Sequence, residues 1–146
     1  MSTRLVKVGQ WGGQGGDYHD ISHQPQRLTK ITIRSGWAID SISFSYVDIN
    51  GTPHIAGPWG GNGGSSREIT FVEGEYVQEV SGTHGYCQPA NNVITSLNIV
   101  TNMTTHSYGK AEGKTFSLPV DHPAQIVGFY VRSGWFVDAI GVYIRP

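Results

Sequence analysis

The chain has 146 residues, enough for a single domain spanning 1–146 with its own core, and a net charge of −1 with charged residues at only 14%. So few charges, with no run of one sign, argue against nucleic acid, whose phosphates select basic faces, and against an electrostatically held membrane surface. The lone cysteine, Cys87, excludes an internal disulfide and is read as a passive thiol.

From the N-terminus, no apolar segment of signal-peptide length precedes Leu5-Val6-Lys7-Val8, and nothing later approaches a membrane span. A cytoplasmic location, open also to the nucleus, is therefore expected. Leu5–Val8 reads as a strand, followed by the glycine loop Trp11-Gly12-Gly13-Gln14-Gly15-Gly16. Ile31-Thr32-Ile33 alternates apolar and polar residues and leads into Arg34-Ser35-Gly36-Trp37-Ala38-Ile39-Asp40. Ile42-Ser43-Phe44-Ser45-Tyr46 alternates again, and Trp59-Gly60-Gly61-Asn62-Gly63-Gly64 is a second glycine loop, with a strand from Ser65 to Phe71 after it. Further strands are expected at Ser96–Val100, Phe116–Leu118 and Ile140–Ile144. Period two in β-branched and aromatic residues marks half-buried antiparallel strands, and no window carries a helical stripe. The predicted class is all-β.

Two motifs repeat. The glycine loop of Gly12–Gly16 recurs at Gly60–Gly64, and a weaker copy stands at Tyr108–Gly113. Arg34-Ser35-Gly36-Trp37 with Asp40 recurs as Arg132-Ser133-Gly134-Trp135 with Asp138. Where a third turn is due, between Gly82 and Thr95, no glycine has an aspartate four residues on. Three β units follow, two fully decorated and one degenerate. In the middle unit the aspartate turn precedes its glycine loop. The same order pairs Gly82–Thr95 with Gly109–Gly113, and leaves the C-terminal turn to pair with the N-terminal loop, Gly12–Gly16. Leu5–Val8 should then lie beside Ile140–Ile144, closing the structure and removing exposed sheet edges.

A fixed carboxylate beside a tight glycine loop suits a neutral polyhydroxylated ligand. It accepts hydrogen bonds from adjacent hydroxyls, turn amides donate to their oxygens, and glycine lets the main chain approach closely. Blander roles compete. Glycine clusters are usually only turns, and aspartates often cap them. A phosphate cradle would need a Gly-Lys-Ser/Thr ending before a helix, and a glycosidase pair would need two carboxylates close together rather than in equivalent positions of different units. His19 and His23, four apart without a helix, do not make a metal site.

The WGGxGG loop near the N-terminus, the GxxxD turn before Ala139-Ile140-Gly141-Val142-Tyr143-Ile144, and Glu79-Val80-Ser81-Gly82-Thr83 together resemble the jacalin-related lectins, in particular their mannose-binding plant type. The resemblance covers essentially the whole chain. It implies the β-prism I fold, three four-stranded Greek-key sheets with pseudo-threefold symmetry. It implies a metal-independent, cofactor-free, non-enzymatic agglutinin for mannose and glucose, presented on oligosaccharides and glycoproteins, built as a homodimer or homotetramer. Carried across, the first sugar site is Gly16, Trp135, Phe136 and Asp138, the two aromatics acting mainly through their amides. The second, as in two-site members of the family, is Gly64, Trp37, Ala38 and Asp40. His84 and Tyr86, in the degenerate third loop, would form the outer wall of the first site, and no third site is expected. A galactose preference goes in the family with cleavage near the first loop, whereas this chain runs unbroken through Gly12–Gly16. A β-prism interaction module with vestigial sites is the remaining alternative.

Overall fold

The computed structural model describes residues 4–146, and its regular elements are all strands. They are β1 (Val6–Gly12), β2 (Asp17–His19), β3 (Pro25–Ser35), β4 (Ile39–Asp48), β5 (Pro53–Gly60) and β6 (Ser65–Thr70), then β7 (Val77–Cys87), β8 (Ala90–Thr101), β9 (Thr105–Gly109), β10 (Lys114–Pro119), β11 (Gln125–Ser133) and β12 (Val137–Arg145). The seven strands read from the sequence coincide with β1, β3, β4, β6, β8, β10 and β12, with Leu5 and Phe71 just outside, and β2, β5, β7, β9 and β11 are not among them. The alternation also sets the faces: Ile31, Ile33, Ile42, Phe44, Leu97, Ile99, Ile140 and Val142 are all buried in one core.

The strands form two sheets rather than three separate ones. One has four strands in the order β5-β4-β3-β6. The other has eight, in which β1-β12-β11-β2 and β9-β8-β7-β10 are joined through a single residue pair, Ile126 with Val77. Each group of four has the same sequence of antiparallel neighbours. Their inner faces meet in the shared core, where Phe44 of one group packs edge-on against Phe129 of another at 5.3 Å. Both rings are fully buried, and each such side chain contributes about 1.5–3 kcal/mol by leaving water.

The chain ends do pair, with Val6, Lys7 and Val8 opposite Ile144, Tyr143 and Val142. The expectation that this removes an edge is corrected, because β1 is itself the outermost strand. A register shift between Val8 and Trp11 distorts that edge, a device that discourages further pairing. The third turn falls between Cys87 and Ala90, within the region where it was due, and Gly82 lies mid-strand in β7, opposite Leu97 and Phe116. A Cβ there would strike the Ser96 carbonyl and stand 3.1 Å from the Phe116 ring, so glycine lets the neighbouring strand approach closely.

The β3–β4 and β11–β12 hairpins turn at one end of the strands, and the glycine loops after β1, β5 and β9 return to that same end. Topology therefore gathers the repeated motifs.

Candidate functional site

Between Ser133 at the end of β11 and Val137 at the start of β12, the chain turns in three residues, closed by the Gly134 amide donating to the Phe136 carbonyl at 2.9 Å. Val137 and Ala139 are buried, so alternation along β12 turns Asp138 outward at the mouth of the strand. Across from it runs the loop between β1 and β2. The Gly13 amide donates to the Asp138 carbonyl at 2.8 Å. A Cβ on Gly15 would stand 2.6 Å from Asp138 Oδ2, and one on Gly16 would stand 2.7 Å from Oδ1 and 2.5 Å from the Ser133 carbonyl oxygen. Gly16 also holds φ at +68°, which other residues adopt only with strain. The loop thus lies directly against the carboxylate, and only glycine fits there.

The second copy is built the same way. Gly36 donates to Ala38 at 3.0 Å, and Gly61 donates to the Asp40 carbonyl at 2.8 Å. A Cβ on Gly63 would stand 2.5 Å from Asp40 Oδ2, and one on Gly64, at φ +67°, would stand 2.7 Å from Oδ1.

Arg132 and Arg34 have a role that the sequence reading left unassigned. Arg132 Nε donates to the Gly15 carbonyl at 3.1 Å and Nη2 to the Gly16 carbonyl at 2.7 Å. Arg34 does the same to Gly63 and Gly64, at 3.0 and 2.9 Å. Each guanidinium therefore pins the loop of its own site from the opposite strand. The signal was present, since arginine opens both copies of the Arg-Ser-Gly-Trp repeat.

Burial pushes the carboxyls of Asp138 and Asp40 above the usual carboxylate range. The Gly134 amide and Arg132 pull Asp138 partly back, and Arg34 does so for Asp40. Among the described residues, no buried side-chain oxygen lacks a hydrogen-bond partner, and neither carboxylate has a side-chain donor. Solvent therefore reaches their oxygens, although Asp40 as a residue is buried and Asp138 half-buried. The amides of Trp135, Phe136, Trp37 and Ala38 make no turn or loop backbone hydrogen bond among the described residues. Each turn therefore presents a charged acceptor beside free donors, the set needed to hold adjacent hydroxyls.

Gly16, Trp135, Phe136 and Asp138 line one shallow depression of about 210 Å³. Its outer wall is Pro89 and Ala90, which replaces the expected His84 and Tyr86. The reason is the length of the β7–β8 hairpin, whose tip carries Pro89 and Ala90 over the first site. His84 lies further back, bonded to Asn92 at 2.8 Å. Tyr86 faces a different groove, with Trp37, Cys87 and Lys110. Asp40 lines a second depression of about 340 Å³ with Gly61 and Gly63, and the far side of that one is again Trp135 and Phe136. Trp37 and Gly64 border neither the Asp138 nor the Asp40 depression; Ala38 is fully buried, available only through its backbone. Two larger grooves, about 630 and 700 Å³, lie at the other ends of the strands around Arg145 and hold no repeated motif.

The third position can be located through its hydrogen bonds. The Lys110 amide donates to the Thr95 carbonyl at 2.9 Å, as Gly13 and Gly61 donate to the two aspartates. Thr95 thus stands where the carboxylates stand. It is fully buried, and its hydroxyl bonds Thr83 at 2.7 Å and the Glu112 carbonyl at 2.7 Å. Thr83 takes the arginine's place. A short hydroxyl tied into the protein has no lone pair directed outward for a ligand.

The family model of the jacalin-like lectin domain matches residues 8–143. Horcolin from Hordeum vulgare is 41% identical over 146 residues, covering 99% of each chain. AcmJRL, a mannose-binding jacalin-related lectin from Ananas comosus, superposes with a TM-score of 0.93 at 47% identity, covering 97% of this chain and 98% of that one. A mannose-specific jacalin-related lectin from Morus nigra, solved in complex with mannose, superposes at 0.87 with 37% identity over 99% and 97% of the two chains.

Proposed function

The chain belongs to the jacalin-like lectin domain family, and from that premise we propose that it binds mannose and glucose, free or on mannose-rich glycans, at two metal-independent sites. One observation carries the reading: two carboxylates, Asp138 and Asp40, lie under equivalent glycine loops with oxygens that no side-chain donor occupies and that are not wholly shielded from solvent. At each site the aspartate accepts from two hydroxyls of one hexose, while the amides of Trp135 and Phe136, or of Trp37 and Ala38, donate to its oxygens. Gly16 closes the opposite side of the first, and Gly61 and Gly63 close that of the second, with Gly64 set against the Asp40 carboxylate. The mannose-binding relatives from Ananas comosus and Morus nigra support the sugar class.

In this reading residues 1–146 form one domain, and the three equivalent strand groups are the Greek-key sheets of a β-prism, two of them bridged by the Ile126–Val77 pair. The protein is a binding module with no reaction to catalyse and no cofactor to hold. It acts in the cytoplasm as a homodimer or homotetramer, because shallow sites of about millimolar affinity gain strength on branched glycans through multivalency.

Calorimetric titration with methyl α-mannoside tests this. Two sites per chain are expected, one lost in Asp138→Ala and the other in Asp40→Ala. Absence of binding by the parent protein, or binding that survives the double substitution, refutes it.

A further inference from the structure

Each glycine loop touches not only its own turn but also the next unit, and the contacts run the same way round the molecule. A Cβ on Gly13 would strike the carbonyl of Asn92, and one on Gly61 would strike the carbonyl of Trp135. Lys110 holds the third such position, and its ammonium lies 4.4 Å above the ring of Trp37. The turn of one unit is therefore a wall of the site beside it. This explains why Trp135 and Phe136, which belong to the Asp138 turn, line the Asp40 depression as well.

Trp37 is itself 71% exposed, so the two tryptophans of the repeat differ not in exposure but in what lies beside them. Lys110 covers one face of Trp37 with a cation–π contact. Gly61 stands in the corresponding place against the Trp135 backbone, and it has no side chain to reach over the indole. Trp135 is 78% exposed, on a ridge between two depressions. The C–H face of a pyranose is a suitable partner for an exposed aromatic ring that borders two depressions.

We propose that Trp135 is a specificity-determining wall shared by both sites. It supports the sugar unit next to the one gripped by either aspartate. An oligosaccharide of linked mannose units is then preferred over the monosaccharide at the Asp40 site as well as at the Asp138 site. The inference rests on the carbohydrate reading above and adds a consequence that the repeat does not contain: a residue of one site governs ligand choice at the other.

The test isolates the Asp40 site in an Asp138→Ala protein and titrates it with methyl α-mannoside and with mannobiose. Adding Trp135→Ala should weaken mannobiose roughly fivefold, as expected for one aromatic stacking contact, and should change methyl α-mannoside much less. Trp135→Phe should restore most of the loss. Because the side chain is exposed, the melting temperature serves as a check that the fold is retained. Unchanged mannobiose affinity after Trp135→Ala in the Asp138→Ala protein overturns the inference while leaving the two-site reading intact. If the parent protein binds neither sugar, the carbohydrate reading itself falls, and this inference with it.

Discussion

Replacing Asp138 by Asn should weaken sugar binding and stabilise the fold at the same time. No side-chain donor engages the carboxylate among the described residues, and the Gly134 amide beside it still leaves lone pairs on both oxygens for the ligand. A hydrogen bond to a charged acceptor contributes about 1.5–3 kcal/mol against about 0.5–1.5 for a neutral one. Two of them exchanged for neutral bonds lose about 2 kcal/mol, roughly a 30-fold fall in affinity. Against a millimolar site of about 4 kcal/mol, that leaves nothing to titrate. Stability moves the other way. Burial holds the Asp138 pKa above its unfolded value despite the Gly134 amide and Arg132. The native state then binds the proton more tightly than the unfolded chain. The ionised carboxylate therefore costs stability above the folded pKa, and that cost disappears as pH falls below the unfolded value of about 3.9. Asn carries no such cost. In an Asp40→Ala background, titration with methyl α-mannoside and thermal melts at pH 7 and pH 3 read both effects. The variant should melt higher than its parent at pH 7 with the gap closing in acid. Affinity kept within a factor of two, or a lower melting temperature at pH 7, would refute the reasoning.

Gly16→Ala should cost about 1–2 kcal/mol from its left-handed φ alone, with further loss from the contact with Ser133, and should abolish the first site; urea denaturation and titration measure the two. Arg132→Ala should release the Gly15–Gly16 loop and weaken the first site while leaving the Asp40 site intact, which titration in an Asp40→Ala and an Asp138→Ala background separates. Thr95→Asp should not create a third site. It would bury a charge among Thr83, Ser96 and the Glu112 carbonyl and destabilise by about 3 kcal/mol or more, read by urea denaturation.

The pairing of distant motifs was legible because β structure is written in short periods and its turns in glycine. Order along the chain was enough to set Asp138 against Gly16, and the structure brings them to within contact. The arginines were visible as letters of a repeat but not as clamps, since their partners are main-chain carbonyls that no motif encodes. The outer wall was misassigned for a similar reason. Val137 follows Ser133 after three residues, whereas the matching hairpin in the third unit keeps pairing to Cys87 and Ala90. How far such a hairpin reaches, and over which neighbour, depends on the twist and packing of whole sheets.

By itself the amino-acid sequence determined seven of the twelve strands, the two glycine-aspartate pairs and the absence of a carboxylate in the third unit, because each depends on residues adjacent in the chain or on a repeat of them. Only the tertiary structure decided that eight strands join through Ile126 and Val77, that Thr95 occupies the aspartate's place, and that Trp135 stands between two sites while Lys110 covers Trp37. Those facts arise where three units meet about a common core. Contact across units depends on side-chain volume at positions far apart in sequence, and there a glycine at 61 against a lysine at 110 decides which indole has a cation over one face.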